Sequence, residues 1–350
     1  MKIAVGISGG VDSAVAAYLL KEEGHDVTGV LMSIWNREIF PENVPEGKGC
    51  CTPDNSRAVS DAEAVCEYLD IPFRQVDCSK EFSLNVMNYF RTEYLSGRTP
   101  NPCVMCNSLI KFDVLPEMLA SQGVGFAKFA TGHYCRIEEK DGRFFLKKGI
   151  NSKKDQSYFL YRLSQQQLGR ILFPLGGMTK QEVRKIAESA NLPVKFKSES
   201  QDFYSGDYGD LISAEPCPGK FVHVNGKILG EHRGIWNYTV GQRRGLGVPY
   251  TAPLYVVKID KETNTVVLGE REYLKSDTLT ALRVNMIYEK LPERAQIKIR
   301  SASEPADCTV VKSSPDSFTV KFDEPQFAVT PGQSAVIYDG DYVAGGGIIE

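Results

Sequence analysis

The sequence predicts a doubly wound α/β domain on a parallel sheet, followed by a small β-rich domain and a C-terminal β-barrel. Three observations carry this. Short apolar runs alternate with helix-length amphipathic runs up to about residue 203. A glycine turn, Ser8-Gly9-Gly10-Val11-Asp12-Ser13, joins the first apolar run to the first helical one. After Pro193 turns and short β-rich runs dominate, and from about Tyr273 they are evenly spaced. The expected segments are 1–203, 204–272 and 273–350.

The elements follow in order. Residues 2–7 read as a buried strand and 14–23 as a helix, with Val15, Leu19 and Leu20 on its apolar side and Gly24 as its stop. Residues 27–31 form a second strand. Residues 36–54 read as a loop rich in Pro and Gly that contains Cys50-Cys51. A helix over 56–69, a strand over 73–76 and a helix over 80–94 come next. Residues 97–107 read as a proline-bounded loop holding Cys103 and Cys106. A helix over 113–119 tolerates Pro116, and a strand over 126–131 runs into Gly132-His133. Residues 134–150 read as a hairpin turning at Asp141-Gly142. A helix is expected over 158–172. Thr179 and Glu182 form a capping box for a helix ending near Asn191. Asn225-Gly226 marks another hairpin, over 221–229. Barrel strands are expected at 295–299, 308–312, 317–322 and 334–338.

Bulk properties bound the function. At 350 residues the chain exceeds one ordinary core. The formal charge of −3 excludes a globally basic nucleic-acid binder, although local pairs such as Arg243-Arg244 remain able to meet phosphates. No apolar run is long enough to span a bilayer and no signal peptide precedes the first strand, so a cytoplasmic protein without a membrane partner is expected. Nine cysteines in such a protein suggest reactive or metal-binding thiols rather than a disulfide framework.

The opening turn is an anion cradle. Its glycines let backbone N–H groups close on phosphate oxygens, and the helix start adds its positive end. Ser8 and Ser13 add hydroxyls, and Asp12 is placed to cap the helix or hold magnesium. No Lys sits in the turn, so it is not the G-x-x-x-x-G-K-[ST] phosphate loop. The S-G-G-V-D-S string resembles the pyrophosphate loop of enzymes that split ATP into AMP and pyrophosphate. An ordinary tight turn is the bland alternative. Cys103-x-x-Cys106 admits several readings. It is half a zinc site, although adjacent Cys50-Cys51 makes a poor second half. It is a redox pair, although the Pro-Asn-Pro context does not match a thioredoxin motif. It is a nucleophile or persulfide carrier, favoured by cations nearby such as Lys111 or Arg98. Or the thiols are inert and buried.

Further motifs stand in order along the chain: Cys50-Cys51, T-P-N-P-C-V-M-C-N with I-K-F, A-T-G-H-Y, K-D-Q-S-Y-F-L, G-Q-R-R-G-L-G, and T-P-G-Q-S-A-V with G-G-G-I-I-E. With the opening turn they resemble the bacterial tRNA-specific 2-thiouridylases, over residues 1–350. The resemblance implies a pyrophosphate-loop ATPase domain that adenylates the 2-carbonyl oxygen of a tRNA wobble uridine, after which sulfur displaces AMP. It implies ATP and Mg2+ as cofactors, tRNA as partner, and a persulfide donor such as a cysteine desulfurase or relay protein.

Carried over by position, Gly6, Ile7, Ser8, Gly9, Gly10, Val11, Asp12 and Ser13 match the phosphate-binding stretch. Met32 and Gly132 match the adenine and ribose pocket. Cys106 matches the nucleophile. Asn101, Pro102 and Cys103 match the contacts to the target base. His133, Lys154, Asp155, Gln156, Arg300, Ser301 and Gln333 match tRNA-contacting positions. Taken alone, Lys154 and Arg300 read as solvated charges and His133 as a structural histidine.

Two departures stand out. Cys103 replaces an acid common in the family, proposed there as a general acid or base. Tyr204 replaces the family's second, persulfide-bearing cysteine in the stretch after Ser200-Gln201. Two ways around this follow. Cys103 and Cys106 share the sulfur relay, or they hold an iron–sulfur cluster with a third thiol from Cys50, Cys51 or Cys217. Two functional alternatives stand beside the resemblance: a pyrophosphate-loop ligase or amidase acting on a small molecule, and a catalytically altered tRNA-binding protein.

Overall fold

The computed structural model describes residues 1–35, 56–197, 204, 206, 208–212 and 214–350. It divides into two compact units, Met1–Val86 with Cys103–Gly206 and Asp341–Val343, and Met87–Pro102 with Asp207–Gly340 and Ala344–Glu350.

The first unit is the expected α/β domain. Its strands are β1 (Lys2–Gly6), β2 (Asp26–Ser33), β3 (Phe73–Asp77), β4 (Lys128–Ala130), the hairpin β5 (Cys135–Lys140) and β6 (Arg143–Lys148), and β7 (Ile171–Leu172). The parallel sheet runs β3-β2-β1-β4-β7. Val5 lies opposite Gly29 on one side and Ala130 on the other. Ile3, Ala4 and Val5 are all buried, as befits a central parallel strand covered on both faces. The helix Val11–Glu22 buries Ala14, Ala16 and Ala17, whose small side chains permit close seating on the sheet. Gly29 serves the same end on β2: a Cβ there would stand 2.3 Å from Cys66 Sγ of the helix Ser56–Tyr68. The strand order reverses between β1 and β4. Ligands of such sheets bind at that switch point, beyond the carboxyl ends of the strands.

Two expectations in this unit are corrected. The cysteine stretch is not a loop. Pro102–Met105 is a helical turn, Cys106–Val114 is a π-helix, and Leu115–Ser121 continues as α-helix. Proline is well placed at a helix start, where its missing N–H has no partner to lose. Pro102 stands there, so a proline that reads as part of a loop begins a helical segment, while Pro116 lies in the helical stretch already expected over 113–119. Residues 158–172 are not one helix. They break into the 3-10 turn Ser157–Phe159, the short helix Gln165–Leu168 and β7. Ser164 and Gln167 form a new capping box, and pairing of Ile171 with Phe129 draws the end of the stretch into the sheet. The capping box of Thr179 with Glu182 does open the helix Lys180–Ser189. The hairpin does turn at Asp141-Gly142, both with positive φ.

The second unit holds the helices Asn88–Leu95 and Tyr208–Ile212 and two β structures. A four-stranded sheet joins β8 (Gly219–His223), β9 (Ile228–His232), β10 (Tyr255–Asp260) and β11 (Thr265–Gly269) in the order β10-β11-β8-β9. The remaining strands are β12 (Lys275–Met286), β13 (Arg294–Lys298), β14 (Ala306–Ser313), β15 (Ser317–Phe327), β16 (Ser334–Asp339) and β17 (Tyr342–Ile349). They run β12-β15-β14-β13-β16-β17 and close by pairing β17 with β12, Ala281 opposite Ile349. Phe318, Val320, Ile297 and Ile337 fill this barrel. Neither β12 nor β17 is among the strands expected from sequence, and β17 carries Gly345-Gly346-Gly347. The glycines are there for close approach: a Cβ at Gly345 would stand 2.7 Å from Asn285 O, and one at Gly347 2.9 Å from Leu282 O.

Candidate functional site

The glycine turn lies at the switch point. Gly9 has φ +70, and a Cβ there would meet Ala58 O at 3.0 Å. Ser13 Oγ accepts from Ser8 N at 3.1 Å and donates to Gly10 O at 3.0 Å, so its hydroxyl holds the turn closed. Gly10 is the N-cap and offers no side chain to the first helical N–H groups. The first N–H groups of a helix have no intrahelical acceptor and, with the helix dipole, suit an anion. Gly6 packs beneath, near Thr131 and Phe129. Met32, half-buried, pairs with Val76 at the carboxyl end of β2.

Asp12, in the first helical turn, accepts from Lys180 Nζ at 2.7 and 2.8 Å and from Tyr134 Oη at 2.7 Å. Lys180 is the first residue of the helix Lys180–Ser189, whose start is fixed by the Thr179–Glu182 box. Hydrogen bonds from Thr179 hold the exposed Glu182 carboxyl below its usual range. Neither Lys180 nor Tyr134 had been singled out from sequence. Their role depends on packing across 168 and 122 positions, and no local pattern marks it.

β4 leads into Thr131-Gly132-His133-Tyr134. A Cβ at Gly132 would stand 2.7 Å from Asp12 C and 2.8 Å from Ser13 N, so this backbone lies directly on the glycine turn. His133 Nδ1 is 2.7 Å from Thr131 Oγ1. Its residue surface is partly accessible, but the ring packs between Phe112 and Phe173 at centroid distances of 5.7 and 5.9 Å. Burial, and then the charge of Lys111, hold its pKa well below the ordinary value, so the imidazole is neutral.

Phe112 and Lys111 belong to the π-helix that begins at Cys106. Lys111 Nζ donates to Asn107 Oδ1 at 2.9 Å, and buried Asn107 donates to Phe159 O at 3.3 Å. A continuous run therefore links Ser13 through Gly132, His133, Phe112 with Lys111, and Asn107 to Cys106. Cys106 is 8% exposed and Cys103, one helical turn earlier, is half-buried. A third thiol lies close. Cys78, fully buried at the end of β3, contacts Met118 Sδ at 3.9 Å. Burial first, then Glu81, Asp77 and Cys106, push its pKa up to about 12. Its position shows only once β3 is placed beside β2.

The other matched positions are placed as follows. Asp155 accepts from Gly149 N, Ser157 N and Ser157 Oγ, and Gln156 Oε1 accepts from Tyr134 N. Together they hold the stretch containing Lys154. In the second unit, Arg300 Nη2 donates to Val240 O, Ala328 O and Thr330 Oγ1. Ser301 is exposed. Buried Asn101 places its N–H 3.5 Å from Tyr89 Oη, and Pro102 opens the cysteine helix. Gln333 Nε2 donates to Thr99 O and Pro100 O. Tyr204 is buried. Cys217 is exposed, with Asn264 Nδ2 3.4 Å from its sulfur. Cys50 and Cys51 lie outside the described residues. Among the described residues no three His, Cys, Asp or Glu side chains group to hold a metal ion, so no third such ligand joins Cys103 and Cys106. No helix among them is long and apolar enough to cross a membrane.

This arrangement defines a nucleotide-binding α/β protein with two appended β structures, and comparison with known proteins agrees. Residues 1–204 match the tRNA methyl transferase HUP domain, 211–270 the tRNA methyl transferase PRC-barrel domain and 276–349 the aminomethyltransferase beta-barrel domain. The tRNA-specific 2-thiouridylase MnmA of Endomicrobium trichonymphae is 45% identical, over 100% of this chain and 99% of its own. That of Syntrophotalea carbinolica is 47% identical, over 99% of this chain and 98% of its own. The tRNA-specific 2-thiouridylase MnmA 2 of Thermoanaerobacter sp. strain X514 is 48% identical, over 100% and 98%. The chain belongs to the tRNA-specific 2-thiouridylase family.

Proposed function

We propose that this chain is an ATP-dependent tRNA 2-thiouridylase in which the turn Gly6–Ser13 binds the ATP phosphates and Cys106 presents sulfur. The seating of Gly132 on the glycine turn, and the packing of His133 against Phe112 of the π-helix that begins at Cys106, support this reading. An amide-like carbonyl oxygen leaves poorly, whereas AMP leaves well. The uridine oxygen attacks the α-phosphorus and pyrophosphate departs. The backbone N–H groups of the glycine turn and the Lys180 ammonium meet the developing phosphate charge. Asp12 orients that ammonium and is the carboxylate at the turn suited to a nucleotide-bound Mg2+, which when bound screens phosphate charge.

In the sulfur step the outer sulfur of a Cys106 persulfide attacks the ring carbon and AMP leaves. Cys103 thiolate then attacks Cys106 Sγ, the S–S bond to the product sulfur breaks, and a Cys103–Cys106 disulfide remains for an external thiol to reduce. One helical turn separates the two, a spacing a disulfide bridges with local adjustment. This route dispenses with the cysteine replaced by Tyr204. The cluster route needs a third ligand, and no described residue supplies one. A persulfide protein in the cytoplasm loads Cys106. The tRNA phosphates meet local cations such as exposed Arg243 and Arg244, so binding weakens with salt. The target base flips out to reach the thiol, with Asn101 and Pro102 beside it.

Mass spectrometry of tRNA nucleosides after reaction with ATP, Mg2+ and a persulfide donor tests the reading. Thiouridine should form with the native chain and vanish with Cys106→Ala. Formation that survives Cys106→Ala would refute the assigned nucleophile. A small-molecule ligase would keep its activity in that variant, and a non-catalytic binder would release no pyrophosphate with tRNA.

A further inference from the structure

Within the first unit, Cys106 and Lys111 share the π-helix Cys106–Val114. The winding decides how they face. In an α-helix of about 3.6 residues per turn, a residue five positions on stands about 140° around the axis from the first. In a π-helix the backbone bonds run from i to i+5, so positions i+4 and i+5 fall on either side of position i, one turn on. The wider turn therefore carries Lys111 onto the face that holds both Cys106 and Asn107. The contacts agree: Lys111 Nζ donates to Asn107 Oδ1 at 2.9 Å. Asn107 is buried and anchored in turn through Nδ2 to Phe159 O at 3.3 Å.

Lys111 is half-buried, and among the described residues its ammonium pairs with no carboxylate. An ammonium has three N–H donors, and the Asn107 amide takes one of them. The neighbouring imidazole supplies no charge. His133 packs on Phe112, the residue after Lys111, at 5.7 Å between ring centroids, and it is neutral. Arg98, the other cation considered for the cysteines, is committed within the second unit to the Glu93 carboxylate at 2.7 Å and to Ile349 O at 2.8 Å. A half-buried cation without an anionic partner carries a desolvation cost that an arriving anion offsets.

We propose that Lys111 is the cation of the sulfur step, as Lys180 is that of the ATP step. In the sulfur step a lone pair on the outer sulfur of the Cys106 persulfide forms the bond to the ring carbon. The C–O bond to AMP breaks, and its electron pair leaves with AMP. Negative charge thus passes from sulfur to the departing phosphate, and Lys111 meets it on the Cys106 face. The catalytic half of this inference rests on the proposed thiolation. The placement of positive charge at Cys106 does not.

The test uses the full chain with Lys111→Met, which removes the charge, and Lys111→Arg, which keeps it. Cys106 is alkylated without tRNA by iodoacetate and, separately, by iodoacetamide, and peptide mass spectrometry reads both rates at that residue. The first reagent is an anion and the second is neutral, so the ratio of rates reports local charge and cancels access and thiol ionisation. A purely structural lysine would leave it unmoved. The ratio should fall by about threefold or more in Lys111→Met and stay within about threefold of native in Lys111→Arg. In a single turnover at saturating ATP and tRNA, Lys111→Met should form thiouridine about tenfold or more slowly, while pyrophosphate release stays within about threefold. A smaller change in the ratio, a smaller loss of thiolation or a larger loss of pyrophosphate release overturns the proposal. If Lys111→Met does not fold, Lys111→Gln, uncharged yet able to donate to Asn107, takes its place. If Cys106 resists both reagents, the split between the half-reactions decides. If the native chain thiolates no tRNA, the functional reading fails while the alkylation ratio still judges the charge at Cys106.

Discussion

The Lys180 ammonium donates to both carboxylate oxygens of Asp12, at 2.7 and 2.8 Å. The phosphate turn contains no lysine, yet a distant helix supplies one at its edge. Lys180 is 12% exposed and Asp12 28%, so the pair is shielded without being sealed. A fully buried pair would hold its charges for each other. A partly open one leaves the ammonium able to turn toward an arriving phosphate while the carboxylate keeps it in place.

Lys180→Met should therefore impair the ATP half-reaction more than the fold. Asp12 keeps Tyr134 Oη and access to water. Loss of a preorganised cationic donor costs on the order of 10²-fold in rate. tRNA-dependent pyrophosphate release measures this, with thermal melting to confirm the fold. Tyr134→Phe removes the neutral donor and should cost about 1 kcal/mol of stability with a smaller rate effect. Equal rate losses in the two variants would argue against a phosphate role for Lys180.

Gly132→Ala tests how tightly β4 is laid on the turn. Its methyl would meet Asp12 C at 2.7 Å and Ser13 N at 2.8 Å, both backbone, so nothing flexible can yield. The strain should cost about 1–3 kcal/mol and displace the first helical N–H groups. ATP affinity, read by calorimetry, should fall by about tenfold or more. Gly125→Ala is the control, since nothing lies within 4 Å of a Cβ there.

The contrast between what the chain reveals locally and what it conceals follows one physical line. The opening strand, glycine turn and helix are contiguous, so apolar periodicity and φ freedom disclosed them together. Thr179 with Glu182 likewise announces a helix start within four residues. The cysteine stretch reads as a loop because Pro102 is compatible with both a loop and a helix start, and packing chooses. The closeness that the glycines of β17 serve lies on another strand, so no local pattern marks it. In the site the same division holds. The turn and the two cysteines stand out as short motifs, whereas Lys180 and Tyr134 do not, because their contact with Asp12 forms only across 168 and 122 positions of chain.

Cysteine reactivity should sort by burial. Burial raises Cys66 and Cys308 to about 11 and Cys78 to about 12, and pushes Cys135 well above the ordinary range. At neutral pH such a thiol is ionised in about one molecule in ten thousand or fewer. Brief iodoacetamide treatment of the native protein should label exposed Cys217 and half-buried Cys103 and spare these four until the chain is unfolded. Peptide mass spectrometry reads the outcome. Native-state labelling of Cys78 would mean that the end of β3 opens readily.

His133 should give the fold a measurable slope with pH. In the folded chain, burial and then Lys111 hold its pKa well below 6.5, so the imidazole stays neutral between Phe112 and Phe173. In the unfolded chain it takes a proton near the ordinary value. Below about pH 6.5 the unfolded state therefore binds more protons, and stability falls as pH drops from there toward the folded pKa. Above about pH 6.5 both states are neutral at this site and it contributes no slope. The limiting slope from one such group is about 1.4 kcal/mol per pH unit. Burial lowers His232 as well, so the native chain carries two contributions of one sign. His133→Gln removes one of them. Urea unfolding at about pH 7.5 and about pH 5.5 should show the native chain losing more stability than the variant between those conditions. Equal losses would place a charged imidazole in the folded site, and with it a cation beside the phosphate turn.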